Sequence, residues 1–201
     1  MQESYLTISK TSEGLYKEKG SKFLAFAYPV SSEEEVKACL EGLRKEYYDA
    51  RHHCYAYVLG AKQDKYRAND DGEPSHSAGD PILGQIKSLN LTDTLVVVVR
   101  YFGGTKLGVS GLINAYRTAA EQALKQNDIK EVAITENIKL RFDYEATNEV
   151  MRLVKDFDAK ITNQLYEADC FLALEVGVGQ VERFRDKLQL LQDTGNQLKV
   201  E

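Results

Sequence analysis

The C-terminal third of the chain is patterned most plainly. Ile138, Leu140 and Phe142 fall on one side of the segment Ile134–Tyr144 and polar residues on the other, the period-two signature of a strand with one buried face. A helix capped by Thr147 or a neighbour follows, with Val150, Leu153, Val154 and Phe157 on one side. Ala159–Tyr166 and Cys170–Val178 are the next strands, joined by a tight turn around Glu167–Asp169. Beyond Gly177 and Gly179, the helical spacing of Val181, Phe184, Leu188 and Leu191 predicts a second helix. Gly195 suits its C-terminus, and Leu198–Val200 closes the series as a short strand. The order βαββαβ is that of a ferredoxin-like domain.

The first two thirds are less regular. Tyr5–Ile8 and Phe23–Val30 are predicted strands, and Gly14 and Gly20 between them suggest hairpin turns. Ser32 and Glu35 have capping-box spacing ahead of a helix carrying Val36, Leu40, Leu43 and Tyr47. Cys54–Leu59 is a third strand, whereas residues 62–79 hold almost no apolar side chain and are expected to form a long loop. Asp80 as N-cap and Pro81 as first residue then open a helix with Ile82, Leu83, Ile86 and Leu89. Leu95–Val99 is apolar without alternation, which predicts a strand buried on both faces. Gly103 and Gly104 interrupt it, and a helix runs from about Val109 to Gln126. A boundary near Asn127–Val132 divides the chain into an N-terminal domain, residues 1–130, and a C-terminal domain, residues 131–201, both α+β.

At 201 residues, 43% hydrophobic and 28% charged, the composition is that of a folded protein rather than a disordered one. No apolar run nears the ~20 residues of a membrane span. The N-terminus lacks the layout of a signal peptide, so a cytoplasmic location is expected. Three cysteines, Cys39, Cys54 and Cys170, follow no metal or disulfide spacing and are expected to be reduced structural thiols. The net charge of −5 argues at first against nucleic acid. Its distribution changes that. Residues up to Lys130 are neutral, with seventeen basic and seventeen acidic side chains, and the nine basic and fourteen acidic residues after it hold the whole excess.

Two polar segments carry the candidate chemistry. In the first, Asp70, Asp71, Glu73, Ser75 and His76 crowd one loop. Its carboxylates suit either a hard cation such as Mg²⁺ or ion pairs with Arg51, Arg67 or Arg100 that fix the loop. His76 offers a general base without an evident nucleophile. The second runs Arg100, Tyr101, Phe102, Gly103, Gly104, Thr105, Lys106, Leu107, Gly108, Val109, Ser110, Gly111, from a buried strand into a helix. Glycines there let a backbone approach a ligand, helix N–H groups favour anions, and Arg100, Lys106 and Arg117 add charge. The spacing is neither a Walker A loop nor a dinucleotide fingerprint, and glycines that only turn and pack the chain fit it equally. At Arg51-His52-His53-Cys54, only His52 and Cys54 share a strand face, too few ligands for a metal. Tyr47, Tyr48, Tyr55, Tyr57, Tyr66, Tyr101 and Phe102, interleaved with basic residues, fit a single-strand platform, although Tyr47, Tyr55 and Tyr57 fit core positions equally.

The runs DDGEPSHSAGDPIL (70–83) and VVVVRYFGGTKLGVSGLINAYRTAA (96–120) resemble the signature of the YigZ/IMPACT family. The resemblance extends over essentially the full chain. It implies an N-terminal domain with the fold of the second domain of a small-subunit ribosomal protein. For the C-terminal domain it implies a ferredoxin-like fold similar to one in elongation factor G. His76, Ser77 and Asp80 stand where that family usually has Gly, Thr and a basic residue, and Ser110 and Asn114 where Gly and often Arg are usual. Eukaryotic relatives carry a further N-terminal partner-binding domain, which this chain is expected to lack because its first strand begins almost at once. The expectation is a non-enzymatic, translation-associated or RNA-binding protein without cofactor or metal. RNA or the translation machinery would be its partner. Arg100, Lys106, Arg117 and the backbone from Gly103 through Gly108 to Gly111 would touch phosphate, with Tyr101 or Phe102 alongside. The alternatives are an Mg²⁺-dependent enzyme acting on a phosphorylated small molecule or nucleotide, and a protein-interaction module using the acidic C-terminal domain.

Overall fold

A computed structural model describes residues 2–167 and 169–200. The backbone contacts divide it into two compact units, Tyr5–Val132 and Met1–Ser4 with Ala133–Glu201. In the first unit, β2 (Ser12–Glu18), β3 (Ser21–Pro29), β4 (His52–Leu59), β5 (Lys65–Asn69) and β6 (Thr94–Tyr101) form one antiparallel sheet in the order β2-β3-β6-β4-β5. Helix α1 (Glu33–Glu46) covers one face, while α2 (Gly79–Ser88) and α3 (Gly108–Lys125) cover the other. β1 (Ser4–Ile8) pairs separately with β7 (Ile129–Ala133).

The apolar run Leu95–Val99 became the centre of this sheet because both its faces have a helix to meet. Val96 and Val98 join the core under α2 and α3, and Leu95, Val97 and Val99 join the one under α1. All five are fully buried, each contributing about 1.5–3 kcal/mol. The Ser32 hydroxyl accepts from Glu35 N (3.2 Å), as the capping box requires. The Glu35 carboxylate reaches back one residue further than expected, to Ser31 N (2.6 Å).

Three local expectations are corrected. Gly14 is no turn: it lies inside β2 facing α3, where a Cβ would stand 2.5 Å from Ala123 N. The hairpin turn is Lys19-Gly20 alone, both at positive φ, as a two-residue connection of twisted strands demands. Residues 62–79 are not all loop, since β5 pairs along β4 from Lys65 to Asn69. As an edge strand it relies on backbone partners, with only the small Ala68 packed against the core. Asp80 does not cap α2. That helix begins at Gly79, and the Asp70 carboxylate, eight and nine residues upstream, accepts from the N–H groups of Ala78 (3.0 Å) and Gly79 (2.8 Å).

In the second unit β8 (Thr135–Phe142), α4 (Thr147–Asp156), β9 (Lys160–Tyr166), β10 (Cys170–Gly177), α5 (Val181–Asp193) and β11 (Leu198–Val200) follow the expected βαββαβ order. A single 3-10 turn, Tyr144–Ala146, precedes α4. The strands are arranged β11-β8-β10-β9, the ferredoxin-like arrangement, with α4 and α5 over a core of Ile138, Leu140, Leu172, Leu174, Val150 and Phe184. The expected turn about Glu167–Asp169 includes Ala168, which lies outside the described residues.

Candidate functional site

The polar loop and the glycine-rich junction meet in a cleft of about 460 Å³ in the first unit. Arg51, His52, Glu73, Arg100, Phe102 and Lys106 stand around it, with Leu107, Gly108, Val109 and Leu112 at the start of α3. Strand alternation decides which residues arrive. β6 turns Arg100 toward α3 and Tyr101 toward α1, where the Tyr101 hydroxyl donates to Asp49 Oδ1 (2.7 Å). That bond, more than burial, pushes the phenol up to about 12. Arg117 is exposed on α3 and does not line the cleft.

The floor is a buried polar network. Glu73, whose side chain is 4% exposed, accepts at Oε1 from Arg100 Nη1 (2.5 Å) and from the Tyr116 hydroxyl (2.7 Å), and His52 Nε2 stands 4.0 Å away. The Cys54 thiol donates to Asp70 O (3.0 Å) and lies 3.3 Å from the Tyr116 hydroxyl. Burial pushes both the Cys54 thiol and the Tyr116 phenol well up, so both stay protonated. The Arg100 guanidinium lies 5.4 Å from the Phe23 ring and 5.7 Å from the Phe102 ring, within cation–π range of both. Its Nε has no hydrogen-bond partner among the described residues.

The loop carboxylates diverge. Besides the start of α2, Asp70 holds His76 N (2.8 Å). Asp71 accepts from His53 N (2.6 Å) and stands 3.6 Å from Arg44. Glu73 is committed to Arg100. Among the described residues, no group of three His, Cys, Asp or Glu side chains is placed to hold a metal ion. The three carboxylates thus brace the loop against three different neighbours, the ion-pair arrangement with Arg100 among those the sequence allowed. Ser75 is exposed, and His76, exposed and at positive φ, contacts Asp80 (2.6 Å).

The glycines divide by role. A Cβ on Gly103 would stand 1.9 Å from Gly20 C, so that position brings two backbones together. Gly104 and Gly108, at φ +89° and +74°, face open space, which leaves the backbone there accessible. At Gly111 a Cβ would meet Leu107 Cβ at 3.0 Å. The 18-residue α3 starts without a side-chain cap or an acidic residue in its first turn, so its N-terminal N–H groups gain no side-chain partner. The aromatic series separates too. Tyr55 and Tyr57 are core, Tyr47 packs against it, and Tyr48, Tyr66 and Phe102 are exposed.

Sequence reasoning missed Tyr116 as a member of the network. It sits within the helix expected from Val109 to Gln126, and no local signal marks a partner 43 residues away.

Comparison with known proteins places this geometry among relatives. The model of the Impact N-terminal domain matches residues 19–124. The IMPACT family member YigZ of Escherichia coli is 36% identical over 85% of this chain and 84% of its own length. YvyE of Bacillus subtilis is 35% identical over 88% and 76%. The Protein IMPACT homolog of Saccharomyces cerevisiae is 34% identical over 54% of this chain, which spans 43% of that longer protein. A crystal structure described only as a hypothetical protein superposes with a TM-score of 0.75 at 32% identity, covering 98% of this chain and 97% of that one. No helix among the described residues is long and apolar enough to cross a membrane.

Proposed function

Since the chain belongs to the IMPACT family, with a bacterial type of relative matched along most of its length, we propose that it is a non-enzymatic, translation-associated RNA-binding protein whose N-terminal cleft holds the RNA backbone. The observation that carries the reading is the start of α3. An uncapped helix N-terminus opens onto a cleft with Lys106 and Arg51 exposed beside it, and the Phe102 ring stands 52% exposed next to them. Helix N–H groups and two cations suit phosphate, and an exposed ring suits a base. Gly104 and Gly108 leave the backbone open to approach. Glu73, the one carboxylate lining the cleft, is neutralised by Arg100, so it does not repel a polyanion. Arg100 acts beneath the ligand in this reading, holding Phe102 and the loop in place.

Fluorescence anisotropy with labelled RNA across a salt series tests this. Binding weakens with salt, and Arg51→Ala with Lys106→Ala lowers the logarithmic salt slope by about 1.4, given roughly 0.7 per phosphate contact on a single strand. Phe102→Ala weakens binding at every salt concentration. If a chain with all three changes, Arg51→Ala, Phe102→Ala and Lys106→Ala, binds like the parent, the cleft is not the site.

A further inference from the structure

We propose that the open face of the C-terminal sheet is a separate platform for single-stranded RNA. Helices α4 and α5 cover only one side of this sheet, and strand alternation assigns the other side residue by residue. On it, Leu165 of β9, Phe171 of β10, Arg141 of β8 and Lys199 of β11 stand directly opposite one another, one row across all four strands. The Arg141 guanidinium lies 5.3 Å from the Phe171 ring, and Leu165 is 52% exposed. The next row is Asn163, Ala173 and Lys139. Ala173 at its centre leaves room beside the Phe171 ring, between a cation and a neutral amide.

Charge selects the occupant. The residues after Lys130 carry the whole net charge of −5. Among the described residues, though, this face gathers Lys139, Arg141, Lys160 and Lys199 against two acidic residues, Glu175, which pairs with Lys160 at 3.1 Å, and Asp169. Arg141 also touches Asp169 (3.4 Å) at the end of the strand. Folding thus concentrates positive charge on the one face of an acidic unit that its helices leave bare. An open sheet face with an aromatic ring on a central strand, a stacked guanidinium and flanking lysines matches what unpaired bases on a phosphate backbone require. A duplex hides its base faces and would leave Phe171 idle.

The test uses the full chain and a fluorescein-labelled oligouridylate at low salt. Phe171→Ala weakens binding roughly tenfold or more, as the loss of one stacked base predicts. Lys139→Glu with Lys199→Glu lowers the logarithmic salt slope by at least about 1.4. All these side chains lie off the core, and unchanged circular dichroism melting checks that each variant folds. The face variants are also made in the chain already carrying the cleft changes Phe102→Ala, Arg51→Ala and Lys106→Ala, with that chain as parent, so either site fails or stands without the other. The platform is overturned if the face variants bind within twofold of the parent or if the parent does not bind the oligonucleotide. Equal competition by duplex RNA, or capture of polyglutamate in place of RNA, also overturns it. The last result would assign the face to an acidic protein partner.

Discussion

Removing the Glu73 carboxylate tests whether the loop-to-sheet network is structural. In Glu73→Ala the Arg100 guanidinium, in a side chain only 7% exposed, loses the acceptor of Nη1 while Nε already lacks one. The side chain is too deeply set for the cleft's water to replace the lost bond in full, and the Phe23 and Phe102 rings are too weak to replace a carboxylate. The Tyr116 hydroxyl loses its acceptor in the same step. Breaking a buried pair from one side costs about 3–5 kcal/mol. Spread over a unit of this size, that lowers the melting temperature by roughly 10–15 °C. Glu73→Gln keeps an acceptor without its charge and should fall between, at about 1.5–3 kcal/mol. Glu73→Met with Arg100→Met removes both charges together and should recover most of the loss. Calorimetry and urea unfolding of the parent, these three variants and the single changes Glu73→Met and Arg100→Met give the comparison. A cost for Glu73→Ala below about 1 kcal/mol, or a double variant as unstable as the two single changes combined, would refute the reasoning.

Two further predictions concern the same region. Gly103→Ala must push the β6 end away from the Lys19-Gly20 turn, because the new Cβ would lie 1.9 Å from Gly20 C; urea unfolding should show a loss of about 1–3 kcal/mol, and an unchanged midpoint would contradict the close approach. The exposed His76 is held above its ordinary 6.5 first by its hydrogen bond to Asp80 and then by that carboxylate's charge, so its small stabilisation is complete below pH 6.5 and fades as pH rises through the raised value. NMR titration should show Asp80→Asn returning His76 toward 6.5, and an unmoved titration would mean that the pair does not form in solution.

What could be read in advance depended on whether burial and sequence coincide. The C-terminal strands announce themselves because each inward position is a large apolar residue, Ile138, Leu140 and Phe142 on β8 and Leu172, Leu174 and Val176 on β10. β2 escaped notice because its inward positions are Ser12, Gly14 and Tyr16, while Leu15 faces out at 45% exposure. A helix backbone packed that closely wants no side chain at Gly14, so tight packing erased the hydrophobic signal. β5 escaped because Lys65, Tyr66 and Arg67 are exposed, and it is held by its pairing with β4, the small Ala68 against the core and Lys87 over the Tyr66 ring. At the site, the composition of both polar segments was legible, and so was Arg100 as one partner for the loop. Which carboxylate it takes was not, because Glu73 is 27 residues from it and Asp70 and Asp71 compete on paper. Only the fold separates the three, by spending Asp70 on α2 and Asp71 on His53 and Arg44.

The central position of β6 sets how the site can move. Its residues belong to both cores at once, and its backbone is hydrogen-bonded to β3 along one edge and β4 along the other. Neither helical layer can therefore detach without exposing the strand that the other still needs, and the amides of Leu95–Val99 should exchange with solvent only through global opening. Arg100 is the next residue, and within a few more the chain passes into glycines that face open space. Over a handful of residues the chain passes from a strand held on both edges to a backbone left open at Gly104 and Gly108. A partner arriving at the cleft would thus meet bare backbone carried on a firmly held post.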